Sequence, residues 1–181
     1  MIDKAITSNL KIAIVAGEKS GDELGAPLIQ SLKSINPSID FIGVGGPKMM
    51  SEGLDSFFEM SEISVMGIIE PLLNLKKILK LRKALKRYFL EENPDIFIGI
   101  DSPDFNIPLA KFLKKNTEIR TMQYVSPSVW AWRKGRIKSM EDFIDSVITL
   151  FPFEKPAYSG SQIKVSYVRS EERRVGKECR S

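Results

Sequence analysis

Carboxylates are the residues in this chain best placed to move a proton. Its 181 residues include no histidine and a single cysteine, Cys179. Histidine-based triads and the usual histidine-containing zinc sites are thereby excluded. Acid–base work falls to carboxylates, lysine or tyrosine. One carboxylate stands at an abrupt boundary. The apolar run Ile96 to Ile100 ends in Asp101-Ser102-Pro103-Asp104-Phe105-Asn106. The run is too short for a helix and reads as a strand buried on both faces, of the kind found in parallel sheets. Asp101 then lies at a strand's carboxyl end, where open α/β sheets place their ligands. It is a candidate general base. Pro103 removes a ladder donor and restricts Ser102. The competing reading is that Asp101 and Asp104 only cap a turn and open the next helix. Position alone leaves the two readings level.

A second polar turn follows the first apolar run. Leu10 to Ala16 leads into Gly17-Glu18-Lys19-Ser20-Gly21-Asp22. The glycines do not fall as Gly-x-Gly-x-x-Gly, so this is no dinucleotide fingerprint. Self-capping accounts for Ser20 and Asp22. Glu18 is different, because it sits at a strand end as Asp101 does. Two carboxylates on one sheet edge suit a neutral, hydroxyl-rich ligand, since they accept hydrogen bonds from sugar hydroxyls and can take a proton from one. A third strand end carries Val125-Ser126-Pro127-Ser128-Val129-Trp130-Ala131-Trp132-Arg133, with both tryptophans of the chain. Tryptophan occurs in sugar and lipid sites and in plain cores, and the pattern favours the core. The segment from Val65 to Tyr88 joins an apolar cluster to a basic run of Lys76, Lys77, Lys80, Arg82, Lys83, Lys86 and Arg87. That describes either a helix resting on anionic lipid or a helix with a solvated basic face, and the pattern alone slightly favours the solvated face. Nucleic-acid binding ranks below both, because aromatics do not interleave the basic residues.

The elements that position these residues alternate. Strands are expected at Leu10 to Ala16, Asp40 to Val44, Ser56 to Met60, Ile96 to Ile100, Arg120 to Val125 and Ser146 to Leu150. Helices are expected at Glu23 to Ser34, Lys48 to Glu52, Pro71 to Leu90, Phe105 to Lys115 and Ile137 to Phe143. Strand and helix in alternation imply an α/β fold, a doubly wound and mainly parallel sheet with right-handed crossovers. Composition is that of an ordinary globular protein, with 43% hydrophobic residues, 28% charged residues and a net charge of +4. The polar start, Met1 to Asn9, does not read as a secretory leader, and the lone cysteine fits a reducing compartment. From Arg169 to Ser181 charge dominates, and this tail is expected to be foreign to the domain.

Six motifs in order carry a resemblance to a known family. They are Gly17 to Asp22, Val44-Gly45-Gly46-Pro47-Lys48-Met49, Ser64-Val65-Met66-Gly67, Gly99 to Asn106, Tyr124 to Trp132, and Phe151-Pro152-Phe153-Glu154-Lys155. Over roughly Leu10 to Val168 the chain resembles the N-terminal half of lipid-A-disaccharide synthase. The resemblance implies a Rossmann-like sheet, the N-terminal domain of a GT-B glycosyltransferase. The implied domain plan is 1–168 for the acceptor-side domain and 169–181 for the tail, with the UDP-binding C-terminal domain absent and this fragment inactive alone. The implied reaction is inverting. It transfers 2,3-diacylglucosamine from UDP-2,3-diacylglucosamine to 2,3-diacylglucosamine 1-phosphate, without cofactor or metal. The implied place is cytoplasmic, peripheral on the inner face of the cytoplasmic membrane. An anionic membrane surface is a partner, nucleic acid is not, and a homodimer of the full-length protein is allowed.

Residue by residue, the resemblance assigns Asp101 as general base and Glu18 as a second catalytic group that orients substrate or base. Ser20, Asp104, Asn106, Ser126, Ser128 and Trp130 are expected to bind substrate. Val65, Met66, Ile68, Ile69, Leu72 and Leu73 match an apolar membrane-docking patch, which moves that segment toward lipid. The runner-up function is a non-catalytic membrane- or lipid-binding module. A nucleotide-binding domain of other function is the third. Two residues depart from the family pattern: Gln123 stands where histidine is usual, and Lys19 where a small residue is usual. The family's Gly-His-Pro segment after Val168 is also missing.

Overall fold

In the computed structural model, the structure describes residues 10–64, 71–127 and 134–168. Seven strands are hydrogen-bonded in the order β3-β2-β1-β4-β5-β6-β7, and every neighbouring pair is parallel. They are β1 (Lys11–Ala16), β2 (Asp40–Val44), β3 (Leu54–Ser56), β4 (Ile96–Ile100), β5 (Arg120–Tyr124), β6 (Ser146–Thr149) and β7 (Lys164–Tyr167). The helices are α1 (Lys19–Ile35), α2 (Pro47–Ser51), α3 (Ser61–Ser64), α4 (Pro71–Glu92), α5 (Pro103–Asn116) and α6 (Lys134–Met140), and a 3-10 helix covers Pro152–Tyr158.

The apolar runs form central strands because both of their faces are covered. Along β1, Ile12, Ile14 and Ala16 enter one core with Ala26 and Ile29 of α1 and Met49 of α2. Ala13 and Val15 enter the other with Leu85 and Phe89 of α4, Leu109 and Leu113 of α5, and Ile137 and Met140 of α6. Side chains alternate along a strand, so a continuous apolar run feeds both layers at once. The chain changes sides between β3 and β4, and α4 makes that crossing. This is the doubly wound arrangement that the alternating pattern predicts.

Several boundaries differ from the sequence reading. Helix α1 begins at Lys19 rather than Glu23, so the expected glycine-bounded turn is largely the helix's first turn. The Phe151 to Lys155 motif runs through a 3-10 helix that apolar periodicity does not signal. The run after Ile163 pairs as a true edge strand, β7.

Backbone packing is tight where β2 meets β1. Gly43 has φ +138, and a Cβ there would lie 1.9 Å from the Ile14 carbonyl oxygen. No side chain fits that position. At the amino edge, Lys114 of α5 sits 2.8 Å from both carboxylate oxygens of Asp145, which also accepts the Thr121 amide at 2.8 Å. Burial by itself raises the Asp145 pKa, but the hydrogen bonds from Lys114 and Thr121 and the lysine's charge outweigh it, so the net direction is downward.

Two outcomes follow for stability. Gly43→Ala should destabilise the fold by roughly 3 kcal/mol in urea unfolding, because strain and overlap act together. Asp145→Asn should cost about 1 kcal/mol near neutral pH, a partly exposed pair being well screened. A lowered carboxyl pKa contributes stability above its unfolded value and loses it as pH falls through the folded one. The wild-type lead over Asp145→Asn should therefore shrink only below about pH 3.8. A lead that did not vary between neutral pH and pH 2 would contradict this.

Candidate active site

Strand order reverses between β1 and β4, and their carboxyl ends stand side by side. The register pairs Ala16 with Ile100, so Gly17 and Asp101 leave the sheet as neighbours. The crevice at such a switch point is where doubly wound sheets bind ligands. Gly17 is needed for the closeness of the two ends: a Cβ there would fall 2.6 Å from Ser102 Oγ and 2.9 Å from Ile63 Cγ2.

Asp101 is held in an uncommon conformation. Its amide still donates to the Tyr124 carbonyl at 2.9 Å, extending the ladder by one bond. The backbone then turns left-handed, with φ 51 at Asp101 and φ 39 at Ser102. Pro103 restricts Ser102 as expected, but the result is left-handed rather than extended backbone. Across the gap Val125 has φ 73, which a β-branched residue rarely adopts. Three strained residues at two adjacent strand ends form a concentration typical of functional sites. The Asp101 carboxylate is half-buried, and its Oδ2 accepts the Ser20 hydroxyl at 3.1 Å. Among the described residues Ser20 is its one side-chain partner.

The other predicted residues are distributed unequally. Glu18 is exposed at the N-cap of α1 without a side-chain cap bond, on the same edge as Asp101. Ser20 is exposed and bonds Asp101 rather than capping its own helix. Asp22 does not cap α1 either. It is 3% exposed and accepts the amides of Lys48 and Met49 at 3.1 and 2.9 Å, capping α2. Asp104 is exposed in the first turn of α5, and its carbonyl accepts Arg82 Nη2 at 2.9 Å.

Two residues expected at the ligand are turned inward. Asn106 is fully buried, and its Nδ2 donates to the carbonyls of Val15, Ile100 and Asp101. A short amide on the first turn of α5 cannot both bridge two strand ends and reach solvent. Ser126 is buried, donates to the Pro127 carbonyl at 3.0 Å and meets the Tyr158 hydroxyl at 2.8 Å. Ser128, Trp130, Val65, Met66, Ile68 and Ile69 lie outside the described residues. Leu72 and Leu73 fall in the first turn of α4.

Three contributors have no site role in the sequence reading. Gln123 is buried on β5 and donates to the Asp101 carbonyl at 3.0 Å. Its signal was available: a polar residue at an inward position of an apolar central strand. Arg82 lies over the Phe105 ring at 5.2 Å. Burial lowers its pKa and Asp104 opposes that, so the cation braces the start of α5. Tyr158 is pushed up chiefly by burial, against the lowering effect of its hydrogen bond with Ser126 and with a further rise from Glu154. Burial likewise raises Tyr124.

Solved structures share this architecture. Acinetobacter baumannii MurG superposes with a TM-score of 0.56 at 12% identity, covering 89% of this chain and 46% of that one. A glycosyltransferase from Rickettsia africae gives 0.56 at 16% identity, covering 90% and 43%. At such identities the likeness is one of fold alone. Closer sequence relatives are lipid-A-disaccharide synthases. The chain is 53% identical over 158 residues to that of Idiomarina loihiensis, covering 87% of this chain and 41% of the relative. It is 50% identical over 163 residues to that of Acinetobacter baylyi, covering 90% and 41%. The chain therefore spans about two fifths of the length of the curated relatives it matches. A family model described as lipid-A-disaccharide synthetase matches residues 12–169, nearly the whole of the sheet and both carboxylate-bearing strand ends, and by that match the chain belongs to the lipid-A-disaccharide synthase family.

Proposed function

We propose that this chain forms the acceptor side of a lipid-A-disaccharide synthase, with Asp101 as general base. In the reaction, the 6-hydroxyl of 2,3-diacylglucosamine 1-phosphate attacks the anomeric carbon of UDP-2,3-diacylglucosamine. The new C–O bond forms as the bond to the UDP phosphate oxygen breaks. The hydroxyl proton passes to the Asp101 carboxylate, UDP departs, and configuration inverts. One displacement needs one base, which suits a chain without histidine.

The observation that carries this reading is the placement of Asp101. It is a half-buried carboxylate on strained backbone at the switch point, with Ser20 on Oδ2 and Oδ1 free of hydrogen bonds among the described residues. Ser20 fixes the rotamer, and the second oxygen is left to accept a proton. Glu18 is exposed across the crevice and is assigned the orientation of acceptor hydroxyls. Ser126 and Asn106 support the edge from within. Asp104, Ser128 and Trp130 stay assigned to substrate.

Membrane attachment is the second part of the proposal. Lys76, Lys80 and Lys83 are exposed on α4 at helical spacing, directly after the apolar stretch ending at Leu73. Among the described residues no helix is long and apolar enough to cross a membrane. An interfacial contact of apolar and basic groups fits the segment, on the inner face of the cytoplasmic membrane. The same feature favours the second reading, in which the chain by itself is a lipid-binding module without turnover.

Two experiments check these assignments. A chimera carrying residues 12–168 in the I. loihiensis relative should form disaccharide and UDP. Asp101→Asn should lower its kcat by about 1,000-fold with the thermal midpoint unchanged; near-normal turnover removes Asp101 as base. The 181-residue chain should sediment with phosphatidylglycerol vesicles but not with phosphatidylcholine. Lys76→Gln, Lys80→Gln and Lys83→Gln should each weaken that binding by about 1 kcal/mol, less at high salt. Binding that ignores lipid charge would count against the basic contact.

A further inference from the structure

The carbonyl of Asp101 lies where the sheet can no longer satisfy it. β4 and β5 remain paired to Ile100 and Tyr124, and one more ladder bond joins Asp101 N–H to Tyr124. Beyond it both strands turn left-handed, at Asp101 and at Val125. A buried backbone carbonyl without a partner is costly, so another donor must be found. Two side-chain amides supply it. Asn106 reaches in from α5 and Gln123 from β5, each 3.0 Å from the Asp101 oxygen. For each amide this is the shortest contact. Asn106 Nδ2 lies 3.2 and 3.3 Å from Val15 and Ile100, and Gln123 Nε2 lies 3.4 Å from Tyr124 and Val125.

The arrangement costs something that packing alone would not require. Asn106 Oδ1 is buried with no hydrogen-bond partner among the described residues, a loss of about 1–3 kcal/mol in general. Left-handed backbone at Asp101, Ser102 and Val125 adds strain. Glycine at these positions would relieve that strain, and the chain uses glycine for φ 96 at residue 53 and φ 84 at residue 160. At the switch point it keeps Asp101 and holds the turn with amides instead.

Resting on the assignment of Asp101 as base, we propose that Asn106 and Gln123 are positioning residues. Their amides jointly grip the Asp101 carbonyl and lock the left-handed turn that carries its carboxylate to Ser20 and the β1–β4 crevice. Neither touches the reacting atoms. Asn106 also ties the turn to β1 through Val15, so the grip sets Asp101 relative to the strand that leads into Glu18 at the N-cap of α1.

The test begins with the 181-residue chain and needs no substrate. Gln123→Met and Asn106→Leu replace each amide with an apolar group of similar shape. Expected are a shift of the Asp101 and Ser102 backbone carbon resonances out of the left-handed range and roughly tenfold faster exchange of the Asp101 amide, with the Ile14 and Ile98 amides still protected. Unmoved Asp101 resonances, or protection lost evenly across the sheet, would overturn the proposal, since plain structural support predicts the even loss. Should Asn106→Leu fail to fold, Gln123→Met alone carries the resonance and exchange tests, since it removes one of the two donors without burying a charge. In the chimera, Gln123→Met should lower kcat by about 100-fold, with KM for the acceptor within about threefold. Combined with Asp101→Asn it should lower kcat no further, and additive losses would overturn the positioning role. If Asp101→Asn alone leaves turnover intact, the base assignment fails while the resonance test of the grip still stands.

Discussion

The pairing of β1 with β4 is the constraint on which the rest of this structure depends. These strands lie in the middle of the sheet, and their register from Ile12 with Ile96 to Ala16 with Ile100 decides what meets at the carboxyl edge. A one-residue slip would turn every side chain to the other layer. Both layers are filled, with Ile12 and Ile98 in one core and Ala13 and Phe97 in the other, so a slip would exchange residues of unequal size. Core packing thereby fixes a polar juxtaposition. Ser20, in the first turn of the helix after β1, comes within reach of the residue that follows β4, and its hydrogen bond to Asp101 joins positions 81 residues apart.

That juxtaposition is braced from outside the sheet. Asp22 is committed to α2, so the first turn of α1 is anchored two residues after Ser20. Arg82 of α4 holds the opening of α5 through the Asp104 carbonyl and the Phe105 ring. The two helices that begin at the crevice are thus each tied to a neighbour at their first turn. Rigid elements thus brace both ends of the Ser20–Asp101 hydrogen bond.

Much of this was legible in the sequence, because burial writes itself into apolar runs. The central strands, the parallel alternation and the place of Asp101 at a strand end follow from Ile96 to Ile100 and Leu10 to Ala16. Short-range chemistry also showed, as in Pro103 opening α5. The side-chain bonds were not legible. Nothing local tells that Asp22 caps a helix 25 residues on, or that Asn106 faces three carbonyls instead of a ligand. Such bonds depend on the relative placement of elements, which periodicity does not encode. Gln123 was the nearest to readable, as a polar residue on the inward face of β5 beside Thr121.

The choice of aspartate bears on why the backbone is strained. A histidine base turns on the same two side-chain torsions but carries its ring nitrogens further from the backbone. Aspartate, the proposed base here, has little reach, so its backbone must bring it to the crevice. A longer carboxylate would reach further but would lose more rotamer freedom on being fixed. A short side chain on a left-handed turn, gripped at the carbonyl and touched by one serine, puts the cost into backbone geometry that the folded sheet already holds. Little then remains to be ordered when a hydroxyl arrives, which is the advantage of a preorganised base. The division between the two carboxylates follows from this. On the proposed assignment, Asp101 is the short, held carboxylate that serves as base, and Glu18 the longer, exposed one that orients hydroxyls.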